Sequence, residues 1–265
     1  MKKKLINLRD EFSIQKNVFK TLDFKIIFIF VTIAIIQTIS YYYSSRRFFR
    51  FNLYQFFVDY ENIYFIEYIY WLSSEFIVLF IIPILLIKFF LKEKLSNYGI
   101  ILGDKKIGFS ITIISILVML PILWFVSSLP GFINSYPQCS DVKNNWLLFI
   151  IYEFCFFLYM IGWEFVWRGY MLYGLKEKFG YYAIFIQMIP FTILHNGKPE
   201  LETFSAIIAG IFLGILAIRT GSFWYGVFIH TAVMFSIDLI STIRYKTQVF
   251  GIGINSIIEI IKKSF

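Results

Sequence analysis

The chain has 265 residues, of which 58% are hydrophobic and 22% aromatic, with a mean hydropathy of +0.70 and a formal charge of +8. Soluble domains carry roughly 45–50% apolar residues, so this composition excludes an ordinary soluble globular protein and implies a polytopic membrane protein. The charge is spread over termini and connections, which excludes a nucleic-acid groove and suits contact with anionic lipid heads, while two cysteines, Cys139 and Cys155, exclude a disulfide framework and a Cys/His metal box.

The first residues are basic (Lys2, Lys3, Lys4, Arg9, Lys16, Lys20) but lack the short apolar core and small-residue cleavage site of a signal peptide, so the segment is expected to stay attached. A helix crosses a bilayer with about 18 or more apolar residues. Windows of that kind fall at 24–42, 66–91, 107–129 and 146–172. Pro121 interrupts the third as a kink that a membrane helix tolerates. Shorter windows follow at 181–195, 204–218 and 222–243, and 254–261 reads as an interfacial helix. The expected fold class is therefore all-α, a polytopic membrane helical bundle of about seven to eight helices. It forms one integral membrane domain over 1–265, with peripheral helices in 1–144, a core in 145–243 and a tail in 244–265. Seven Lys and Arg residues lie in the first 25 positions and five between 88 and 106, against Arg46, Arg47 and Arg50 in one alternate connection and Lys143 in the other. The positive-inside tendency then sets a cytoplasmic amino terminus in a multi-pass protein of the cell membrane.

The character of the chain changes near Asn145. Earlier spans are Ile, Phe and Leu filler, whereas later ones carry polar groups and small residues, such as Ala209, Gly210, Gly214 and Ala217, that permit close helix packing. In GWEFVWRGYML, residues 162–172, Glu164 and Arg168 stand four apart and share one helix face. Two apolar residues would be at least as stable there, so an intramembrane ion pair is read as functional. Both histidines of the chain, His195 and His230, fall in apolar segments. An imidazole gains or loses a proton near neutral pH, which suits water activation or oxyanion stabilisation. Glu67, Glu75 and Glu153 belong to no such pattern and read as interfacial or water-facing. The 33 Phe and 18 Tyr read as lipid-facing filler and interfacial belts.

Three patterns occur in order: WExxxRG at 163–169, FxxxH at 191–195, and His230 in the penultimate span. Together they resemble the CPBP family, the CAAX-protease and bacteriocin-processing intramembrane endopeptidases also called Abi proteins, whose motifs are EExxxR, FxxxH and HxxxN. The resemblance covers roughly 146–243. It implies a CAAX-protease-like catalytic core in the second half and hydrolysis of a peptide bond in a membrane-associated protein or peptide. In the family a glutamate and the second-motif histidine polarise a water, and the third-motif histidine with its asparagine stabilises the oxyanion. Carried over residue by residue, this implies Glu164, Arg168, His195 and His230. Two positions depart from the pattern. Trp163 stands where the family has its first glutamate, the one usually given the water-activating role, and Met234 stands for the asparagine and cannot donate a hydrogen bond. A carboxylate held by Arg168 is also a stabler anion and a weaker base. Glu202, seven residues after His195 and near Lys198, and Asp238, on an i, i+4, i+8 ridge with His230 and Met234, therefore enter as possible helpers.

No cofactor is expected, and the resemblance leaves the participation of a metal open. The expected partners are membrane lipid and a peptide or membrane-protein substrate, with no nucleic acid. High Ile, Lys, Phe, Tyr and Asn usage fits an AT-rich bacterial gene. The alternative function is a catalytically silent relative, acting as a bacteriocin-immunity or membrane scaffold protein. A proton-coupled transporter is a third reading, weakened by the lack of inverted-repeat halves.

Overall fold

A computed structural model describes residues 8–264; Lys2, Lys3 and Lys4 of the basic amino terminus and Phe265 of the tail lie outside the described residues. An exposed helix α1 (Leu8–Lys20) precedes the first membrane helix, α2 (Phe24–Phe56). There follow α3 (Ile63–Leu91), α4 (Lys105–Val126), α5 (Trp146–Phe179), the short α6 (Tyr182–Ile193), α7 (Glu200–Thr220), α8 (Trp224–Thr247) and the amphipathic α9 (Ile254–Ser264). Six of these, α2, α3, α4, α5, α7 and α8, are long and apolar enough to cross a membrane. No strand occurs among the described residues. The protein is a multi-pass membrane helical bundle.

The helix starts follow from capping. The carboxylate of Asp23 accepts from the backbone N–H of Lys25 and Ile26 at the head of α2, Asp104 accepts from Ile107 N–H at the head of α4, and the Asn145 side chain accepts from Leu147 and Leu148 N–H at the head of α5. Each cap satisfies amide donors that have no partner in the first turn. Where the helices depart from the apolar windows, charge is the reason. α2 continues past residue 42 because Ser45 accepts from Phe48 N–H and restarts the helix through Arg46, Arg47 and Arg50. α7 begins at Glu200 and Glu202, acidic residues that suit the positive end of a helix dipole.

Burial identifies the centre of the bundle. In α5 and α8, 44% of the apolar window is buried, against 17–33% in the other spans. α5 lies against α3 on one side and α8 on the other, and α8 also packs along α4. At one end the turn after α7 is pinned to the loop before α4: Asp104 N–H donates to Thr220 O at 2.8 Å and Phe223 N–H to Gly99 O at 3.2 Å, while Tyr225 Oη donates to Leu102 O and Trp224 Nε1 to Ile100 O, each at 2.7 Å. Gly103 makes this approach possible, because its φ is +52° and a Cβ there would collide with Thr220 O. At the opposite end, fully buried Arg244 donates from Nε to Ser127 Oγ, from Nη1 to Val249 O and Gly251 O, and from Nη2 to Trp124 O, so one guanidinium ties the end of α4 to the chain after α8.

α6 is only 12 residues long, about 18 Å at 1.5 Å per residue. Its outer stripe, Tyr182, Phe185, Ile189 and Ile193, is exposed, and its inner face holds Ala183, Ile184, Gln187 and Phe191. It runs against α7, where Gly210 and Gly214 leave room for Met188 and Ile184. Gln187 Nε2 donates to Gly210 O at 2.8 Å and locks the two together. His195 follows two residues beyond the end of α6, so the shortness of this helix sets its depth.

Candidate active site

α5 brings Glu164 and Arg168 to the centre of the bundle, and both are completely buried. The backbone changes there from α-helical to a wide π turn spanning Phe165–Met171, a distortion often found at functional sites. Arg168 Nη1 donates to Glu164 Oε1 at 3.1 Å, and this is the single hydrogen bond between the two side chains. The same oxygen accepts from Nδ1 of His230 on α8 at 2.9 Å. A carboxylate held in this way accepts only, so Nδ1 carries a proton and the outer nitrogen, Nε2, is the group His230 can present to a reactant. Glu164 Oε2 makes no hydrogen bond among the described residues. It lies against Gly226, where a Cβ would come within 2.5 Å of it, so the glycine one turn before His230 makes the room for the carboxylate.

His195 is fixed by a different acceptor. Its Nδ1 stands 2.7 Å from Phe191 O, and a carbonyl can only accept, so the neutral imidazole carries its lone pair on Nε2. The turn holding it is tied to α7 by Thr203 Oγ1, which donates to His195 O at 2.9 Å. The phenyl ring of Phe191 gathers the site: the His195 ring centroid lies 4.6 Å away, that of His230 6.3 Å and that of Trp163 5.8 Å, and the Arg168 guanidinium sits 3.9 Å over the ring. The carboxylate and guanidinium are sealed from the surface, while His230 retains 16% side-chain exposure and His195 is half-buried. The arrangement is a buried ion pair bonded to one imidazole, His230, with a second, His195, beside it on the Phe191 ring.

The structure therefore brings Arg168, His195 and His230 around one aromatic ring, with Glu164 bonded to Arg168 and His230. Trp163, at the position of the first family glutamate, packs its indole 5.9 Å from the His195 ring. Met234 is buried on the same helix as His230. Glu202 and Asp238 belong to another cluster. Glu202 Oε2 accepts from Tyr136 Oη at 2.5 Å, Lys198 Nζ lies 4.0 Å from its other oxygen, and Asp238 is fully buried beside the Glu153 carboxyl group and within the field of Lys198. No hydrogen bond or ion pair joins either residue to Glu164, His195 or His230 among the described residues. Asp238 follows His230 by eight residues, about 12 Å along a helix. Outside the membrane spans, burial lowers the Lys198 pKa, partly opposed by Glu202, and burial together with the Glu202 carboxylate holds the Tyr136 phenol well above its usual value. Tyr136 thus remains a hydrogen-bond donor at any physiological pH.

Sequence reasoning assigned nothing to Phe191 beyond its place in FxxxH, and nothing to Gly226. The signal for Gly226 is its spacing, four residues before His230, which sets both on one face of α8. Among the described residues, no group of three or more His, Cys, Asp or Glu side chains is arranged to hold a metal ion.

Residues 144–236 match the family model described as type II CAAX prenyl endopeptidase Rce1-like, in accord with the resemblance to the CPBP membrane proteases. The matched stretch contains Glu164, Arg168, His195 and His230 and ends before Asp238. No curated protein and no solved structure matches the chain.

Proposed function

Taking the CAAX prenyl endopeptidase match over residues 144–236 as the premise, we propose that this protein is an intramembrane endopeptidase that hydrolyses a peptide bond in a membrane-associated protein or peptide. The observation that carries the proposal is the Glu164 carboxylate, which accepts from Arg168 and from His230 Nδ1, with His195 and His230 both against the Phe191 ring. Since Nδ1 of His195 is committed to Phe191 O, Nε2 is the base. It takes a proton from a water as the water oxygen bonds to the substrate carbonyl carbon. Negative charge then develops on the carbonyl oxygen. His230, oriented by the bond from its Nδ1 to Glu164, donates from Nε2 to that oxyanion when both ring nitrogens carry a proton. When the tetrahedral intermediate collapses, the C–N bond breaks and the proton held by His195 passes to the leaving amine, so the imidazole returns to its starting state. Glu164 acts through His230 and is a positioning residue, which is consistent with the indole of Trp163 at the position of the family's water-activating glutamate.

The test is cleavage of a reconstituted library of membrane-anchored peptides by the full chain, read by mass spectrometry. His195→Ala and His230→Ala should each abolish product, and Glu164→Gln should lower it by about 10²–10³-fold, the scale of losing one oriented electrostatic contribution. Cleavage retained in all three variants would remove these residues from the chemistry. A wild-type protein that cleaves nothing would leave the silent scaffold or immunity reading, to which the departures at Trp163 and Met234 already belong.

A further inference from the structure

A second polar site lies at the end of α2, remote from the catalytic histidines. Arg46, Arg47 and Arg50 stand within one and a half turns there and run against the Lys/Arg count that orients the chain. Part of the reason is Glu67 on α3, whose side chain is 1% exposed. Arg50 Nε lies 2.8 Å and Arg46 Nε 3.6 Å from its two oxygens. One partner would satisfy a single buried carboxylate, and Glu67 is the one carboxylate in ion-pair contact with the three arginines among the described residues. Three guanidinium groups set against one carboxylate leave a net charge of about two positive units. Both pairs use Nε, which leaves the terminal Nη groups of Arg46 and Arg50 free of ion pairs. Arg47 is exposed, forms no ion pair among the described residues, and has Nη1 3.5 Å from Tyr41 Oη.

These groups line a groove of about 570 Å³, whose walls are Ser45, Arg46, Arg47, Arg50, Phe51 and Trp71. That volume falls within the range of small-molecule sites. Its setting is interfacial: Tyr41, Tyr42 and Tyr43 immediately precede it and are 58–62% exposed, as in the aromatic belt at headgroup depth. Arg46 is stacked 4.3 Å over Tyr68 and 5.9 Å from Trp71, which fixes its guanidinium in the wall. Guanidinium forks match tetrahedral oxyanions with paired hydrogen bonds, and Phe51 and Trp71 offer apolar surface to the glycerol and upper acyl carbons beside them. We propose that this groove binds the phosphodiester of an anionic phospholipid headgroup, with Arg47 and the Nη groups of Arg46 and Arg50 as donors. Charge complementarity and headgroup depth select a lipid over a soluble anion.

The test uses the full chain in nanodiscs of phosphatidylcholine containing a minority of phosphatidylglycerol, released into native mass spectrometry to count retained lipids. Phosphatidylglycerol should be enriched over phosphatidylcholine by about tenfold, equivalent to one decade of affinity. Arg47→Gln should reduce that enrichment to about twofold or less while the melting temperature in pure phosphatidylcholine stays that of wild type, since Arg47 holds no buried partner. Arg219→Gln, a change of the same charge at the other end of the bundle, should leave the enrichment intact. Equal retention of the two lipids, or enrichment unaltered by Arg47→Gln, would overturn the site. Binding of inorganic phosphate in pure phosphatidylcholine as tight as that of phosphatidylglycerol would overturn the lipid as its occupant.

Discussion

Glu164 Oε1 serves two donors and Oε2 none, and the substitutions around it separate charge, shape and position. Arg168→Ala removes the cation from a fully buried carboxylate, and leaving such a charge uncompensated costs about 3–5 kcal/mol. A fall in melting temperature in detergent, well beyond that of Glu164→Gln, is the expected result. Gly226→Ala is the shape test. Its Cβ would meet Glu164 Oε2 at 2.5 Å, and the carboxylate can yield only by rotating away from Arg168 and His230. Peptide cleavage should fall by about tenfold or more, as small misplacements of catalytic groups cost, while circular dichroism remains helical. The four residues of this group were legible as ionisable side chains in apolar text. Their partnership was not, because Glu164 and His230 are 66 positions apart and the bond between them depends on how two helices face each other. Nor could spacing alone show that Asp238, on the same ridge as His230, belongs with Glu153 and Lys198 rather than with the imidazoles.

At the scale of helices, hydropathy finds a span because lipid demands an unbroken apolar surface: four of the six long helices contain their windows, while α4 ends three residues before its window does and α8 begins two residues after. It does not find helical ends that carry charge, so α2 runs on through its arginines to Phe56 and α7 starts at Glu200. α1 escaped notice for the same reason: its 13 residues are too polar to register as a span, although Leu8, Phe12 and Phe19 are exposed along it. The contact between α4 and α8 rests on Gly108, where a Cβ would fall inside the ring of Tyr225. That ring cannot move freely, since its hydroxyl donates to Leu102 O at 2.7 Å. Gly108→Ala should therefore destabilise the protein by about 1–3 kcal/mol, the usual cost of overpacking. Melting in detergent would register it, and an unchanged melting point would mean that α4 is not seated against α8 by this glycine.

For the molecule as a whole, the outward stripe of α6 is a hydrophobic wall about 18 Å tall in a hydrocarbon layer about 30 Å thick, beside the full-length α7. Stability should depend on acyl-chain length: in vesicles of graded thickness the melting temperature should be highest in the thinner bilayers and fall in the thicker ones, because each ångström of mismatch carries a small cost. A flat dependence would mean that neighbouring helices shield α6 from lipid. With Tyr182, Phe185, Ile189 and Ile193 turned outward, the acyl tails next to α6 must dip to meet them, and the bulk water above follows. His195 follows the last residue of α6 by two positions, so water drawn down beside this helix comes toward that imidazole, and for the endopeptidase proposed above a lipid-tethered polypeptide would meet solvent there without a gate.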